Sequence, residues 1–373
     1  MKAVKTVAIV INTSWNIYNF RVGLLKALQS EGYRIVTIAP EDSFTHKLVE
    51  SGFEYHPVKM NNKGTNPLED LRLTADLYRL FKKIGPDILL FYTIKPNIYG
   101  TIAAALAGIP VINNISGLGT VFLDDSLSSR IARILYRFAL RHSQKVFFQN
   151  GHDRELMVQS RLVQSAKTDV LPGSGIDTKK EIPLHHTVKK RSVCFLFVAR
   201  LIKDKGLLEY IEAARILKSK YPEAEFAVLG PFYHGNPTAL SEEEVYAWER
   251  EGIIRYLGVS DDVENIIIHA DCVVLPSYRE GLSRVLLEAS LLAKPIITTD
   301  VPGCRELVDE GYNGYLCRVK DSRDLAEKME RMYLLEDLDR ILMGLHGREK
   351  IVNEFDEKIV IEKYLDAIET VLH

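Results

Sequence analysis

Short apolar runs alternate with segments of helical periodicity along most of the chain. The run "TVAIVI" near the N-terminus is continuous, as expected of a parallel strand buried on both faces. The next segment, "YNFRVGLLKALQSEG", has helical spacing and ends in glycine. The same alternation continues to "KVFFQN" and predicts an open, doubly wound parallel α/β sheet.

A change in composition divides the chain into two halves, each with this alternation of strands and helices. The segment "VLPGSGIDTKKEIP" is rich in glycine, proline and charge, which is typical of a linker. The alternation restarts with "SVCFLFVAR", and the tail "DEKIVIEKYLDAIETVLH" has the spacing of one amphipathic helix. A length of 373 residues also suits two domains better than one. The predicted division is an N-terminal domain over 1–172, a linker over 173–183, a C-terminal domain over 184–352 and a helix over 353–373 that could pack back on the N-terminal domain.

The formal net charge of −2 conceals a basic first half and an acidic second half. Residues 1–172 carry 21 Lys and Arg against 14 Asp and Glu, which leaves 27 against 36 for the remainder. Unless this segregation is accidental, the first half faces something anionic.

The sequence also bears on the compartment. No apolar run approaches the ~20 residues needed to cross a bilayer, and the N-terminus is better explained as a strand than as a signal peptide. The four cysteines have neither C-x-x-C nor zinc spacing. We therefore expect a cytoplasmic protein with reduced thiols.

Two glutamates flank the start of a predicted helix in "YREGLSRVLLE". Ser283 is the expected N-cap, so the helix N-terminus offers a site for phosphate or sugar oxygens. Glu280 precedes this helix and Glu288 lies inside it, about 12 Å further along. Carboxylates so far apart cannot share a proton or a metal ion, but they could hold two parts of one extended polar ligand. The alternative is an exposed turn glutamate and a local ion pair.

Two cations occupy a second strand-to-helix loop, "RLIKDKG". Arg200 and Lys205 would lie at a helix N-terminus, where they could neutralise a diphosphate. A solvated basic turn is the alternative. The loop after the first strand has no G-x-G-x-x-G, which argues against a dinucleotide dehydrogenase.

Together these motifs resemble a known family. The pattern R-x-x-x-x-K-G followed by E-G-x-x-x-x-x-x-E is similar to that of the retaining nucleotide-sugar glycosyltransferases of family 4. Their GT-B fold has two Rossmann-like domains facing a central cleft. The segment "TIKPNIYGTIAAALAGIPVINNISGLGTVF" resembles the acceptor half of a bacterial branch that builds capsules, O-antigens and lipid-linked glycans. The resemblance extends over nearly the whole chain.

The resemblance implies a set of donor contacts in the C-terminal domain. It assigns the sugar hydroxyls to Glu280, the ribose to Glu288 and the diphosphate to Arg200 and Lys205. The leaving nucleoside diphosphate would be stabilised by these two cations. The remaining implied donor contacts are Gly281, Leu282 and Ser283 at the helix start, Gly258 and Val259 beside the base, and Ser14 after the first strand. No divalent metal and no cofactor are implied, since the UDP-sugar is a substrate.

The acceptor side is less fully specified by the resemblance. Many members have a histidine after the strand matching "PVINNI", where this chain has Ser116, so no histidine role carries over. The residues expected near the acceptor are Lys95, Asn97, Ser116, Gly117 and Gly119. For residues 95–97 the alternative is a simple helix-start turn.

A basic helix is predicted in "SLSSRIARILYRFALRHSQK". Arg130, Arg133, Arg137 and Arg141 follow i, i+3, i+7 and i+11 and form one stripe beside Ile131, Ile134, Leu135 and Phe138. Such a helix fits anionic lipid headgroups or a lipid diphosphate. The alternative is a helix packed on the sheet with solvated arginines.

The resemblance implies transfer of a sugar, N-acetylgalactosamine or a related N-acetylhexosamine, from UDP to a polyprenyl-diphosphate-linked saccharide. The enzyme would lie peripherally on the inner face of the cytoplasmic membrane and would not bind nucleic acid. A sugar-nucleotide epimerase of the same fold is one alternative. A catalytically silent sugar-nucleotide-binding subunit is the other, although the intact cations and glutamates argue against silence.

Overall fold

The computed structural model describes residues 4–61, 66–118, 127–179 and 192–373. The chain forms two compact units. Unit 1 contains Met1–Asp177 together with Glu357–His373, and unit 2 contains Thr178–Asp356. The chain therefore enters unit 2 after Asp177, within the segment predicted as a linker, and returns to unit 1 for its last helix.

Thirteen strands are found in the described residues. Those of unit 1 are β1 (Thr6–Val10), β2 (Arg34–Ala39), β3 (Glu54–Pro57), β4 (Ile88–Tyr92), β5 (Val111–Ile115), β6 (Lys145–Phe148) and β7 (Thr168–Val170). Those of unit 2 are β8 (Cys194–Val198), β9 (Glu225–Leu229), β10 (Arg255–Tyr256), β11 (Cys272–Leu275), β12 (Ile296–Thr299) and β13 (Gly314–Cys317).

In the described residues, an α-helix follows most of the strands. The first seven are α1 (Ser14–Phe20), α2 (Val22–Ser30), α3 (Thr45–Glu50), α4 (Pro67–Ile84), α5 (Thr101–Ala107), α6 (Leu127–Leu140) and α7 (Gly151–Gln159). The others are α8 (Leu207–Lys220), α9 (Glu242–Arg250), α10 (Val263–His269), α11 (Arg284–Leu291), α12 (Ser322–Tyr333), α13 (Asp337–Glu354) and α14 (Glu357–Leu372). Within the four described ranges, no helix has the length and apolarity needed to cross a bilayer.

The sheet of unit 1 is parallel, in the order β3-β2-β1-β4-β5-β6-β7. Val7 and Ile9 of β1 enter one apolar cluster, and Ala8 and Val10 enter the cluster on the other face. This two-sided burial is what the continuous apolar run predicts. The strand order reverses between β1 and β4, and ligands of such sheets bind beyond the carboxyl ends at the reversal.

The sheet of unit 2 is also parallel, in the order β10-β9-β8-β11-β12-β13. Its reversal falls between β8 and β11. The loops that follow these two strands contain Arg200, Lys205 and Glu280. The prediction of two doubly wound parallel sheets is confirmed.

Helix α14 completes the core of unit 1. Val360, Tyr364 and Ile368 follow i, i+4 and i+8 and are buried in the same cluster as Val7. The Tyr364 hydroxyl accepts a hydrogen bond from Asn114 Nδ2 at 3.0 Å. The tail is therefore a structural element of unit 1.

One predicted helix is divided in the structure. The segment after β1 forms α1 and α2, which are separated at Arg21. Arg21 has non-helical φ and ψ of −131° and −7°. It is 4% exposed, and its guanidinium carbon lies 4.4 Å from the centroid of the Tyr92 ring. The break buries this cation against an aromatic face, which helical periodicity alone does not reveal.

Candidate functional site

A glycine brings the cationic loop against the end of β11. Gly206 has φ of 77°, and a Cβ placed there would come within 2.0 Å of the Pro276 carbonyl oxygen. The Tyr278 N–H donates to the Asp204 carbonyl at 2.9 Å, which fixes the loop from the other side. Because an L side chain would clash here, the close approach requires glycine.

This approach places two predicted site residues in direct contact. Lys205 Nζ and Glu280 Oε1 form an ion pair, with side-chain exposures of 18% and 14%. The Glu280 N–H donates to the Pro302 carbonyl at 3.2 Å. Partly buried ion pairs contribute little net stability, because desolvation offsets the attraction. The pair is therefore more informative about chemistry than about folding.

Arg200 lies at the start of the same loop and is exposed. Its guanidinium carbon is 4.7 Å from the centroid of the Tyr233 ring. No carboxylate among the described residues lies within ion-pair distance of Arg200. Its charge is thus available to an anion.

Glu288 lies in α11 and accepts a hydrogen bond from Arg284 Nε at 2.8 Å. Its side chain is 22% exposed. This is the local i, i+4 ion pair that the sequence left open as an alternative to ligand binding. The pair leaves carboxylate lone pairs for a second donor.

The start of α11 differs from the prediction in one respect. Ser283 is the N-cap residue, as predicted, but its side chain makes no capping hydrogen bond and its own N–H donates to the Gly303 carbonyl at 2.8 Å. That N–H cannot also bind a sugar or phosphate oxygen. Gly281 and Leu282 lie half-exposed in the preceding turn. The first-turn N–H groups of α11 have no acceptor within the helix and remain suited to an anion.

The residues predicted beside the base follow β10. Gly258 has φ of 72°, and its carbonyl accepts from the Gly230 N–H at 2.8 Å. Val259 is 67% exposed. Both residues thus lie at the carboxyl edge of the unit 2 sheet, near the end of β9.

Ser14, which the resemblance assigned to the donor, uses its hydroxyl inside unit 1. It belongs to unit 1, where it is fully buried. Its hydroxyl donates to the Pro40 carbonyl at 3.1 Å and accepts from Thr45 Oγ1 at 3.0 Å. The side chain therefore ties α1 to the end of β2 and the start of α3.

A cavity of about 240 Å³ lies at the carboxyl ends of β1, β4 and β5 in unit 1. Lys95 lines it, with Nζ 2.7 Å from Asp70 Oδ1. Ser116 also lines it, and its hydroxyl donates to Asn114 Oδ1 at 3.1 Å. The other lining residues are Asn12, Thr93, Ile94, Asn97, Ile115, Gly117 and Tyr136.

Asn97 has a structural role in this cavity wall. It is 1% exposed, its Nδ2 donates to the Asn114 carbonyl at 2.8 Å, and its Oδ1 accepts from Asn113 Nδ2 at 2.9 Å. Both polar atoms are used inside the unit, and a contact of this side chain with the acceptor stays a prediction. Gly119 lies outside the described residues.

Sequence reasoning missed three residues of these sites. Asp70 lies on α4, is 5% exposed and forms an ion pair with Lys95. Thr93 has φ of 64°, which is rare for a β-branched residue and is often found at functional sites. Gly303 contacts the Glu280 backbone. Only Gly303 had a signal, as the glycine of the turn "VPGC" after a strand.

The basic helix exposes a mainly apolar face. Arg130 and Arg137 are exposed on α6, and Arg141 is exposed one residue beyond its end. Arg133 is half-buried, with a buried Nε, and so departs from the predicted stripe. The exposed apolar residues are Leu127, Ile131, Ile134 and Phe138.

A groove of about 610 Å³ adjoins this helix in unit 1. Its apolar lining is Ile134, Phe138, Leu140, Val158, Leu162 and Val163. Its cations are Arg137, Arg141, Arg161 and Lys167. Among the described residues that line it, none is acidic.

No other chemistry is evident in the parts of the chain that the structure describes. All four cysteines are buried, and none of them forms a disulfide. Burial raises the pKa of the Cys304 thiol near Glu280, so it stays protonated and is a poor nucleophile. Within those same ranges, no group of three or more His, Cys, Asp and Glu side chains is placed to hold a metal ion.

Two family models match the two halves of the chain. Residues 6–150 match the model "Glycosyl transferase 4-like", and residues 178–343 match "Glycosyl transferases group 1". In fold, the chain is similar to Anabaena Alr3699/HepE in complex with UDP-glucose, with a TM-score of 0.79 and 17% identity over 98% of this chain and 99% of that one.

Two curated bacterial enzymes are similar in sequence. The N,N'-diacetylbacillosaminyl-diphospho-undecaprenol alpha-1,3-N-acetylgalactosaminyltransferase of Campylobacter jejuni is 28% identical, with 96% of each chain covered. The UDP-Gal:alpha-D-GlcNAc-diphosphoundecaprenol alpha-1,3-galactosyltransferase of Escherichia coli is 27% identical, with 80% of this chain and 79% of the enzyme covered. Both halves of the chain thus match glycosyltransferase family models, and with its two Rossmann-like units the chain is a glycosyltransferase of the GT-B fold.

Proposed function

We propose that this glycosyltransferase moves an N-acetylhexosamine, best assigned as N-acetylgalactosamine, from UDP to a polyprenyl-diphosphate-linked saccharide. The relative from C. jejuni is named for that sugar and for an undecaprenyl-diphosphate acceptor, and it aligns over almost the full chain. The E. coli relative differs in its sugar but also has a diphosphoundecaprenol acceptor. The lipid carrier is therefore better supported than the sugar.

The observation that carries the donor assignment is the contact between Lys205 and Glu280. A lysine has three N–H donors, so the bond to Glu280 leaves two for phosphate oxygens. Glu280 in turn keeps oxygen lone pairs for sugar hydroxyls. A sugar diphosphate bound here would have its glycosidic oxygen beside the pair, where charge grows as the bond breaks.

Leaving-group stabilisation is the main catalytic effect in this proposal. The nucleoside diphosphate gains negative charge as it departs, and Arg200, Lys205 and the N-terminus of α11 lower the energy of that charge. Glu288 would hold the ribose hydroxyls. Transfer proceeds with retention, and a phosphate oxygen of the donor takes the acceptor proton, so no protein base is assigned.

Because no metal takes part in this scheme, activity should persist in excess EDTA. Loss in EDTA with recovery in Mg²⁺ would contradict it.

The acceptor is assigned to unit 1. In the cavity at the strand ends, the ammonium of Lys95 keeps two N–H donors beyond its bond to Asp70, and Ser116 and Gly117 line the space beside it. The exposed apolar face of α6 and its neighbouring cationic groove are suited to an anionic bilayer surface. Each cation near such a surface contributes about 1 kcal/mol of attraction. We therefore assign the enzyme to the inner face of the cytoplasmic membrane.

A donor panel tests the proposal directly. The purified enzyme is assayed with UDP- and GDP-sugars, each with and without a synthetic polyprenyl-diphosphate-linked saccharide. We expect turnover of UDP-N-acetylgalactosamine only when the acceptor is present, with the α-anomer as product. Conversion of the donor alone would favour the epimerase. Tight binding of UDP without any turnover would favour the silent subunit.

A further inference from the structure

The segment that follows β9 encloses the cationic loop on two sides. On the outgoing side, the Leu201 N–H donates to the Pro231 carbonyl at 3.0 Å. On the returning side, the Leu240 N–H donates to the Leu201 carbonyl at 3.1 Å, and the Lys203 N–H donates to the Thr238 carbonyl at 2.8 Å. We call residues 231–241 the clasp. Its hydrogen bonds fix the backbone on which Arg200 and Lys205 stand.

Two neighbouring aromatic residues of the clasp make different contacts. Phe232 lies among other rings, with centroids 5.4 Å from Tyr256 and 6.2 Å from Tyr246. Successive side chains of an extended segment point to opposite sides. Tyr233 accordingly meets Arg200, at 4.7 Å from ring centroid to guanidinium carbon. The backbone hydrogen bonds of the clasp thus fix the cationic loop, while the Tyr233 ring contacts Arg200, the exposed cation of that loop.

An exposed arginine samples many rotamers, and ordering it for one ligand costs entropy. A stacked aromatic ring limits that freedom and leaves the N–H groups at the guanidinium edge free to bind oxygen. We propose that Tyr233 is a positioning residue that holds the Arg200 guanidinium ready for the donor diphosphate. This inference rests on the proposed function, in which Arg200 binds that diphosphate.

A double-mutant cycle tests the inference. Turnover of the UDP-sugar with the lipid-linked acceptor is measured for Tyr233→Ala, Arg200→Ala and the double variant. We expect Tyr233→Ala to lower kcat by about threefold to tenfold, with the KM for the acceptor unchanged. The double variant should be no slower than Arg200→Ala, because the ring acts only through the arginine. Tyr233→Phe keeps the ring and should retain wild-type turnover.

The matched control is Tyr246→Ala, which removes a partly exposed ring from the Phe232 cluster without removing the Arg200 contact. Equal losses in Tyr246→Ala and Tyr233→Ala would overturn the inference, since general weakening of the clasp would then explain both. Additive losses in the double variant, or a defect in Tyr233→Phe, would also overturn it. If Arg200→Ala is impaired while Tyr233→Ala is not, this inference alone fails. If Arg200→Ala turns over normally, the proposed role of Arg200 fails with it.

Discussion

Gly303 lies directly against the backbone of Glu280. A Cβ on Gly303 would come within 2.3 Å of the Glu280 carbonyl oxygen, and Gly303 has φ of 82°. The turn after β12 therefore supports the residue assigned to the donor sugar. We expect Gly303→Ala to displace Glu280 and to lower kcat/KM more than about tenfold, in line with the sensitivity of rate to small misplacements.

Gly311→Ala is the control for that substitution. Gly311 has a similar φ of 77°, but nothing lies within 4 Å of a Cβ built on it. Both changes should cost roughly 1–2 kcal/mol of stability through the positive φ alone. Activity measured at a temperature where both proteins are folded separates displacement from strain. Equal activity in the two variants would refute the support role of Gly303.

Lys205→Ala should lower kcat by about 10²–10³-fold, as loss of a contact to developing charge does. Lys203→Ala removes an exposed cation from the same turn and is the control. It should stay near wild-type turnover, because long-range charge contributes less than a direct contact. Similar losses in both variants would mean that only the charge of the loop matters. Wild-type turnover in Lys205→Ala would contradict its place beside the leaving group.

The roles of Glu280 and Glu288 should be distinguished by measuring how substitution of each affects the binding of free UDP. Glu288→Gln should weaken UDP binding measured by calorimetry, because a charged acceptor of the ribose hydroxyls is lost. Glu280→Gln should leave UDP binding within a fewfold of wild type while lowering kcat with the full donor. The reverse pattern would show that the roles of the two residues are exchanged.

That the residues assigned to the donor lie near one another could be predicted from the sequence for a physical reason. Parallel strands end at one edge of a sheet, so residues directly after β8 and β11 must lie near each other. Arg200, Lys205 and Glu280 could be predicted in this way. The support that Gly303 gives to Glu280 could not be predicted. It depends on the close approach of two backbone segments that are far apart in the sequence.

Polar residues near a strand end were harder to assign. Ser14 and Asn97 are polar residues at the ends of strands, yet the structure uses both to satisfy buried groups. Sequence shows that such a residue is polar, but the identity of its partner is set by tertiary packing. For the same reason Arg133 fits the helical stripe in sequence while its Nε is buried in the structure.

The α6 surface gives a test of membrane attachment. Ile134 and Phe138 are 66% and 43% exposed, which is costly in water unless a partner covers them. We expect the variant with both changed to serine to lose most of its co-sedimentation with vesicles containing anionic phospholipid. The control changes Leu68 and Leu71 of α4, which are 70% and 67% exposed in the same unit.

The cations beside the apolar face of α6 allow a second, independent test of membrane attachment. Arg137→Glu with Arg141→Glu should abolish vesicle binding at low salt, because attraction to the anionic surface becomes repulsion. Wild-type binding should fall as salt rises, since the screening length is ~10 Å at 0.1 M. UDP affinity should be unchanged in both double variants, because the residues assigned to the donor belong to unit 2. Turnover of a lipid-linked acceptor presented in vesicles should fall with vesicle binding. If the α6 variants sediment like wild type while the α4 variant does not, the membrane surface lies on α4. If all of them bind vesicles and use the acceptor normally, the face of α6 is a solvated helix surface and the lipid carrier is reached in another way.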